Sequence, residues 1–234
     1  MGISLVLQGP LCNQTFNLID AALKCDRIER VIVSHWNEDD LVERINDYPS
    51  VKFVTADHLF DKKRFNQRNL ANQALTSLAG LLESNTEYSI KLRSDWKAYN
   101  NFDAIIEKFY EHPAKILTSN IFFRPSNYAE YHSSDHLIVS STSVLTSAFY
   151  RVLWMLDNEI SIRCPEHGIT LALLYAKDYT ATKDIVSDMK NNFEIITIEN
   201  ATYPIEDEDT KRRHSTSAFN GLDDPIISDI NDYK

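Results

Sequence analysis

The chain has 234 residues, 43% of them hydrophobic and 25% charged, so one ordinary core can form without disulfide or metal staples. Only 5 residues are glycine, where average usage of roughly 7% gives about 16, and neither GxGxxG nor GxxxxGK[ST] occurs, which excludes a glycine-rich phosphate cradle. The net charge of −10 excludes a nucleic-acid partner, whose phosphates need a basic stripe.

The first segment, Met1 to Pro10, lacks the basic start of a signal peptide, and its apolar run is too short for one. Gly2 is not followed by the Ser or Thr of a myristoylation signal, because Val6 stands there. No stretch reaches the ~20 apolar residues that span a bilayer. Three cysteines, Cys12, Cys25 and Cys164, are odd in number and share no metal-like spacing. They read as free thiols in a reducing compartment, and the cytoplasm is the expected location.

In chain order, Ile3 to Leu7 is an apolar run stopped by Gly9-Pro10, the pattern of a buried strand entering a turn. Thr15 is placed to cap a helix reaching about Leu23. Strands follow at Arg30 to Trp36 and Val51 to Thr55, with Asp39 capping a short helix to Tyr48 between them. The clearest helix runs from about Asn66 to Glu83, and a fourth strand spans Tyr88 to Leu92. A helix from Asp103 to Tyr110 and strand-like runs at Ile116 and Leu137 come next. Helices are expected over 144–156, 167–176 and 181–190, then a strand from Phe193 to Ile198. Strands alternating with helices predict βαβ units: one α/β domain with a mainly parallel sheet flanked by helices. Its expected extent is 1–205, followed by an acidic, partly mobile tail over 206–234.

Ligands of open α/β sheets bind outside the carboxyl ends of the strands. Asp95, closing Lys91-Leu-Arg-Ser-Asp95-Trp96, stands at such an end. It could hold a divalent cation on a diphosphate, or it could be a turn residue paired with Arg93. The helix at 66–83 has an apolar stripe, Leu70, Ala74, Leu78 and Leu81, and a second stripe of Asn69, Asn72, Gln73, Thr76 and Gly80. Amides there suit a nucleobase or sugar hydroxyls, although a solvated face is the simpler explanation. Gln8, Gly9 and Pro10 follow the first strand; Ser34 and Trp36 follow the second. The loop from Phe122 to His136 carries Arg124, Asp135 and His136, residue types that suit carbohydrate and phosphate. Cys164-Pro165-Glu166 opens a helix, with Pro and an acid where the first turn favours both. Glu166 there is a fixed carboxylate suited to general-base work if it faces a cleft.

Taken in order, Gln8-Gly9-Pro10, Val33-Ser34-His35-Trp36, Gln73…Thr76-Ser77…Gly80-Leu81, Lys91-Leu-Arg-Ser-Asp95, Ser134-Asp135-His136 and Pro165-Glu166 resemble the WavE lipopolysaccharide-synthesis family. These are glycosyltransferase-like proteins with a GT-A type fold, and the resemblance covers roughly residues 3–175. It implies a GT-A-like fold and transfer of a hexose-type sugar from a nucleotide-diphosphate sugar to a glycan or glycolipid acceptor. It also implies inversion and help from Mn²⁺ or Mg²⁺; a chain without a spanning segment leaves peripheral membrane association open. In the family's acidic motif only the last acid, Asp95, is present, with Arg93 where the first would stand. Asn72 occupies a position where Arg is expected, and Arg68 lies one turn earlier. The implied base is Glu166, with Asp135 second. The implied donor contacts are Gln8, Gly9, Pro10, Ser34, Trp36, Arg68, Asn69, Asn72, Gln73 and Thr76, then Lys91, Arg93, Ser94, Arg124 and His136. Metal candidates are Asp95 and His214, the latter ending the cluster Lys211-Arg-Arg-His214. The competing expectation is a catalytically silent GT-A-like module that binds sugar or scaffolds a glycan-assembly complex.

Overall fold

The computed structural model describes residues 2–36, 41–56, 68–95, 101–120, 123–127, 129–178, 184–198 and 229–233. Strand β1 (Ile3–Gln8) is buried along its whole length because helices cover both faces of the sheet. Ile3, Leu5 and Leu7 pack with Phe16 and Ile19 of α1 (Asn13–Ala22) and with Ile105 and Phe109 of α3 (Phe102–Glu111). Val6 points the other way, joining Ile32 of β2 (Ile28–His35) and the apolar stripe of α2 (Arg68–Leu82). That second layer is completed by α4 (Thr142–Asp157), α5 (Pro165–Ala176) and α6 (Ile185–Asn192).

The remaining strands are β3 (Lys52–Thr55), β4 (Tyr88–Arg93), β5 (Ile116–Ser119), β6 (Leu137–Ser141) and β7 (Phe193–Ile196). The seven lie in the order β3-β2-β1-β4-β6-β5-β7. Only β6 runs against its neighbours, β4 and β5; the other pairs are parallel. The expected α/β domain with a mainly parallel sheet is therefore what forms. The reversal of β6 has one consequence for function. It brings the residues entering β6, Asp135 and His136, to the same edge as the carboxyl ends of β1, β2 and β4.

Two local details differ from the sequence expectation. Helix α1 starts earlier, and Thr15 is in its first turn: its Oγ1 accepts from Cys12 N (3.1 Å) and donates to Pro10 O (3.2 Å). The short helix after β2 is a 3-10 turn over Val42–Asp47, and Asp39 lies outside the described residues. Of the 206–234 segment, residues 229–233 are described, with Ile230 and Tyr233 packed in the core and Tyr233 edge-on to Phe123. Among the described residues no helix is long and apolar enough to cross a membrane.

Candidate functional site

Three strand ends are tied into one rigid edge by main-chain bonds. Gln8 is in register with Ser34 on one side and Arg93 on the other. Gly9 N donates to Ser34 O (3.1 Å), Ser94 N to Gln8 O (2.9 Å), and Arg93 N to His136 O (3.0 Å). Gly9 has φ +131°, and a β-carbon there would sit 2.7 Å from Ser94 Oγ, so both backbone and space require glycine. Ser94 Oγ donates to Pro10 O (2.8 Å), fixing the turn. Within this frame the Gln8 Oε1 and Ser34 Oγ atoms are buried and have no hydrogen-bond partner among the described residues. Buried polar atoms are rarely left so. Trp36 is half-buried against the core layer that contains α2.

Helix α2 is buried on more than its leucine stripe. Thr76 and Ser77 are fully buried, and Gly80 lies so close to the sheet that a β-carbon would meet Val6 Cγ1 at 2.5 Å. The polar stripe thus faces protein over its second half. Thr76 Oγ1 bonds its own helix at Asn72 O (2.8 Å) and is not directed at the strand edge. Gln73 is: its Nε2 donates to Asp135 Oδ2 (2.6 Å). Asn72 is half-buried one residue before it. The side chains of Arg68 and Asn69 lie outside the described part of the helix.

Asp135 is the hub of the buried polar network. It is 4% exposed, and its carbonyl accepts from the ammonium of Lys91, itself fully buried. His136 Nε2 stands 3.6 Å from Asp135 Oδ1. Burial pushes His136 down to about 4, so its ring is neutral at pH 7. Burial alone would raise the Asp135 pKa, but His136, Lys91, Arg93 and the Gln73 hydrogen bond outweigh it, and the carboxyl lies below the usual range. With His136 neutral, the cations that hold Asp135 ionised are Lys91 and Arg93. Burial also lowers Lys91 to about 8, with Asp135 opposing that shift. Arg124 is buried at 2% exposure, and its N–H donates to His132 O (3.1 Å), which shapes the loop leading to Asp135.

Asp95 forms the turn pair with Arg93. Nε donates to Oδ1 (3.1 Å) and a terminal guanidinium nitrogen to Oδ2 (2.8 Å). Burial raises its pKa, but the two-pronged Arg93 contact outweighs this and keeps the carboxylate ionised. As placed, this end of β4 does not fit a resident cation: one acid, both oxygens engaged, and a guanidinium at the position a cation needs. His214 lies outside the described residues.

Glu166 enters from the start of α5, half-buried, with Oε2 3.8 Å from His132 Nε2. Burial and the Asp135 carboxylate push it up to about 7. Two carboxyls in one neighbourhood thus have opposite settings, Asp135 ionised by cations and Glu166 poised by desolvation. The loop and helix are pinned to each other. Thr170 Oγ1 bonds Glu166 O (2.7 Å) and Ser133 Oγ (2.7 Å), while accepting from Ser133 N (3.0 Å).

The fold therefore gathers Gln8 to Pro10, Ser34, Gln73, Lys91 to Asp95, Asp135, His136 and Glu166 at one edge of the sheet. Sequence reasoning left two members of this neighbourhood out of the site: His132, whose spacing to Asp135 and His136 is too loose for a metal signature, and Cys164. Both types were visible, but their juxtaposition depends on β6 reversing and on α5 packing behind the loop.

No protein-family model matches the chain, and no curated protein matches it in sequence. Solved structures do resemble it. The 4-diphosphocytidyl-2C-methyl-D-erythritol synthase of Anaerococcus prevotii superposes with a TM-score of 0.56 at 9% identity, covering 91% of this chain and 94% of that one. The glucosyl-3-phosphoglycerate synthase of Mycobacterium tuberculosis, solved with Mn²⁺ and uridine diphosphate, gives 0.43 at 11% identity over 77% and 81%. TarS 1-349 of S. aureus gives 0.46 at 12% over 86% of this chain and 59% of that chain. The likeness to the synthase of Anaerococcus prevotii shows a shared α/β fold over nearly the whole of both chains.

Proposed function

We propose that the chain is an inverting glycosyltransferase of hexosyltransferase type, moving a sugar from a nucleotide-diphosphate sugar to a glycan acceptor. The observation that carries this reading is the convergence at one sheet edge of a buried cation, Lys91, a half-buried one, Arg93, and a half-buried carboxylate, Glu166, arriving from a separate helix. Departing diphosphate needs fixed positive charge, and an acceptor hydroxyl needs a base. The A. prevotii enzyme of the same fold is named for a diphosphocytidyl compound, which favours a nucleoside diphosphate at this edge. The ordered resemblance to the WavE family points the reaction towards lipopolysaccharide-type synthesis in the cytoplasm.

In the proposed reaction the nucleoside lies along the turn after β1, where Gly9 and Pro10 follow Gln8. Arg93 turns its guanidinium to the diphosphate as the sugar leaves. Glu166 takes the proton of the acceptor hydroxyl as its oxygen attacks the anomeric carbon from the face opposite the diphosphate. Asp135 orients Gln73 and balances Lys91, and its ion-paired state makes it the weaker base. A divalent cation, if recruited with the donor, requires Asp95 released from Arg93; the steps above use the chain's own side chains only.

The closed Arg93–Asp95 pair favours the second reading, a silent sugar-binding or scaffold module. Phosphorus NMR of nucleotide-diphosphate sugars incubated with the protein and mixed glycans separates the readings. Glycosyl transfer releases a nucleoside diphosphate. Release of a nucleoside monophosphate, or no turnover with any donor, would contradict the proposal.

A further inference from the structure

His132, Cys164 and Glu166 offer an imidazole nitrogen, a thiol sulfur and a carboxylate oxygen that all lie within 4.8 Å of one another. In a tetrahedral zinc site, bonds of about 2.0–2.3 Å put neighbouring donor atoms about 3.4–3.6 Å apart. The His132 and Glu166 donors are already at 3.8 Å, and the Cys164 sulfur lies within 4.8 Å of both. Closure by at most about 1.4 Å completes the geometry, within the reach of side-chain rotation.

The scaffold is built to keep this spacing. Cys164 and Glu166 flank Pro165 at the start of α5, a rigid first turn. The His132 loop is fastened to that helix by the Ser133–Thr170 bonds and to Arg124 by its own carbonyl. All three ligands are half-buried, so an ion can enter from solvent. Thiolate and imidazole select zinc-class ions over Mg²⁺ and Mn²⁺, which prefer all-oxygen sets. Three protein donors leave a fourth position for water or a substrate hydroxyl.

We propose that His132, Cys164 and Glu166 form a three-ligand site for a zinc-class divalent cation with an open fourth position. Binding transfers the Cys164 thiol proton, and any proton on Glu166, to solvent. The site stands on its own geometry. One consequence rests on the transferase reading: a cation holding Glu166 removes the proposed base, so zinc would suppress transfer.

Co²⁺ titration of chelator-treated, dialysed protein tests the site without any assay of activity. A thiolate-to-cobalt absorption band with four-coordinate visible bands is expected at one equivalent, abolished by Zn²⁺. Cys164→Ser should remove the thiolate band, because Cys12 and Cys25 remain but lie elsewhere. His132→Ala should weaken Zn²⁺ binding at least roughly 10-fold, the least that losing an outer-shell partner costs. Melting of each variant in chelator checks that it folds. No thiolate band in wild type, or a band that survives Cys164→Ser, would overturn the site. A cobalt band in a protein that binds no nucleotide would retain the site and remove the transferase reading; the converse result would do the reverse.

Discussion

Glu166→Gln is expected to lower the transfer rate by roughly 10²–10⁴-fold, the usual contribution of a positioned proton acceptor. The substitution keeps size and shape at the start of α5 but cannot accept a proton. Donor binding should be unchanged within about twofold, since the diphosphate is assigned to Arg93 on β4. The comparison that matters is Asp135→Asn. Asp135 is held by Gln73 and lies beside His136, and its carbonyl accepts from Lys91. Its loss should lower stability and disturb Gln73 rather than remove the base. Steady-state rates on both variants, with melting as the control, check this. Near-normal transfer by Glu166→Gln with none by Asp135→Asn would reverse the two assignments.

Lys91→Met should destabilise the fold by about 1–3 kcal/mol, the cost of leaving the buried Asp135 carbonyl without its donor. Asp135 would keep Gln73 but lose the nearest buried ammonium. Part of the loss should return in Lys91→Met/Asp135→Asn, since the double variant has no orphaned carboxylate. A pH signature accompanies this. Burial lowers the folded ammonium to about 8, against 10.5 for a lysine in water. Below pH 8 both states carry the proton, and the burial penalty is full. Between about 8 and 10.5 the unfolded chain binds more protons, so stability rises with pH, by up to about 3 kcal/mol. Urea unfolding at pH 7, 8 and 9.5 should show this rise in wild type and not in Lys91→Met. A flat wild-type curve would mean that the Lys91 ammonium is not desolvated.

What the sequence makes legible depends on whether the signal is local. The apolar runs of β1 and β4 and the leucine stripe of α2 are local, and all three form where the pattern places them. The pairing of Asp95 with Arg93, two residues apart, was also within reach as one of two readings, and it is the one that forms. The direction of β6 is not local, because a five-residue strand alternates identically either way. Everything that depends on it, including the approach of Asp135 to Lys91 and Gln73, was therefore hidden. The amide-rich stripe of α2 shows a similar limit. Periodicity assigns Thr76 and Gly80 to a second face, but only packing reveals that this face lies against β1 and β2. Capping of α1 differed for a reason of the same kind. Thr15 is drawn one turn inward because its hydroxyl also reaches Ser94 O (3.3 Å) at the end of β4.

The central claim is that the edge formed by β1, β2 and β4 binds a nucleotide-diphosphate sugar. Melting the protein against uridine, cytidine and guanosine diphosphates and their sugars, with and without Mn²⁺, tests it most directly. A ligand at 100 times its Kd adds about 2.7 kcal/mol of stability. For a chain of this size, that raises the melting temperature by roughly 5–10 °C. At least one nucleotide should produce that shift, and Arg93→Ala should abolish it. No shift with any nucleotide, in the presence or absence of Mn²⁺, would contradict the account.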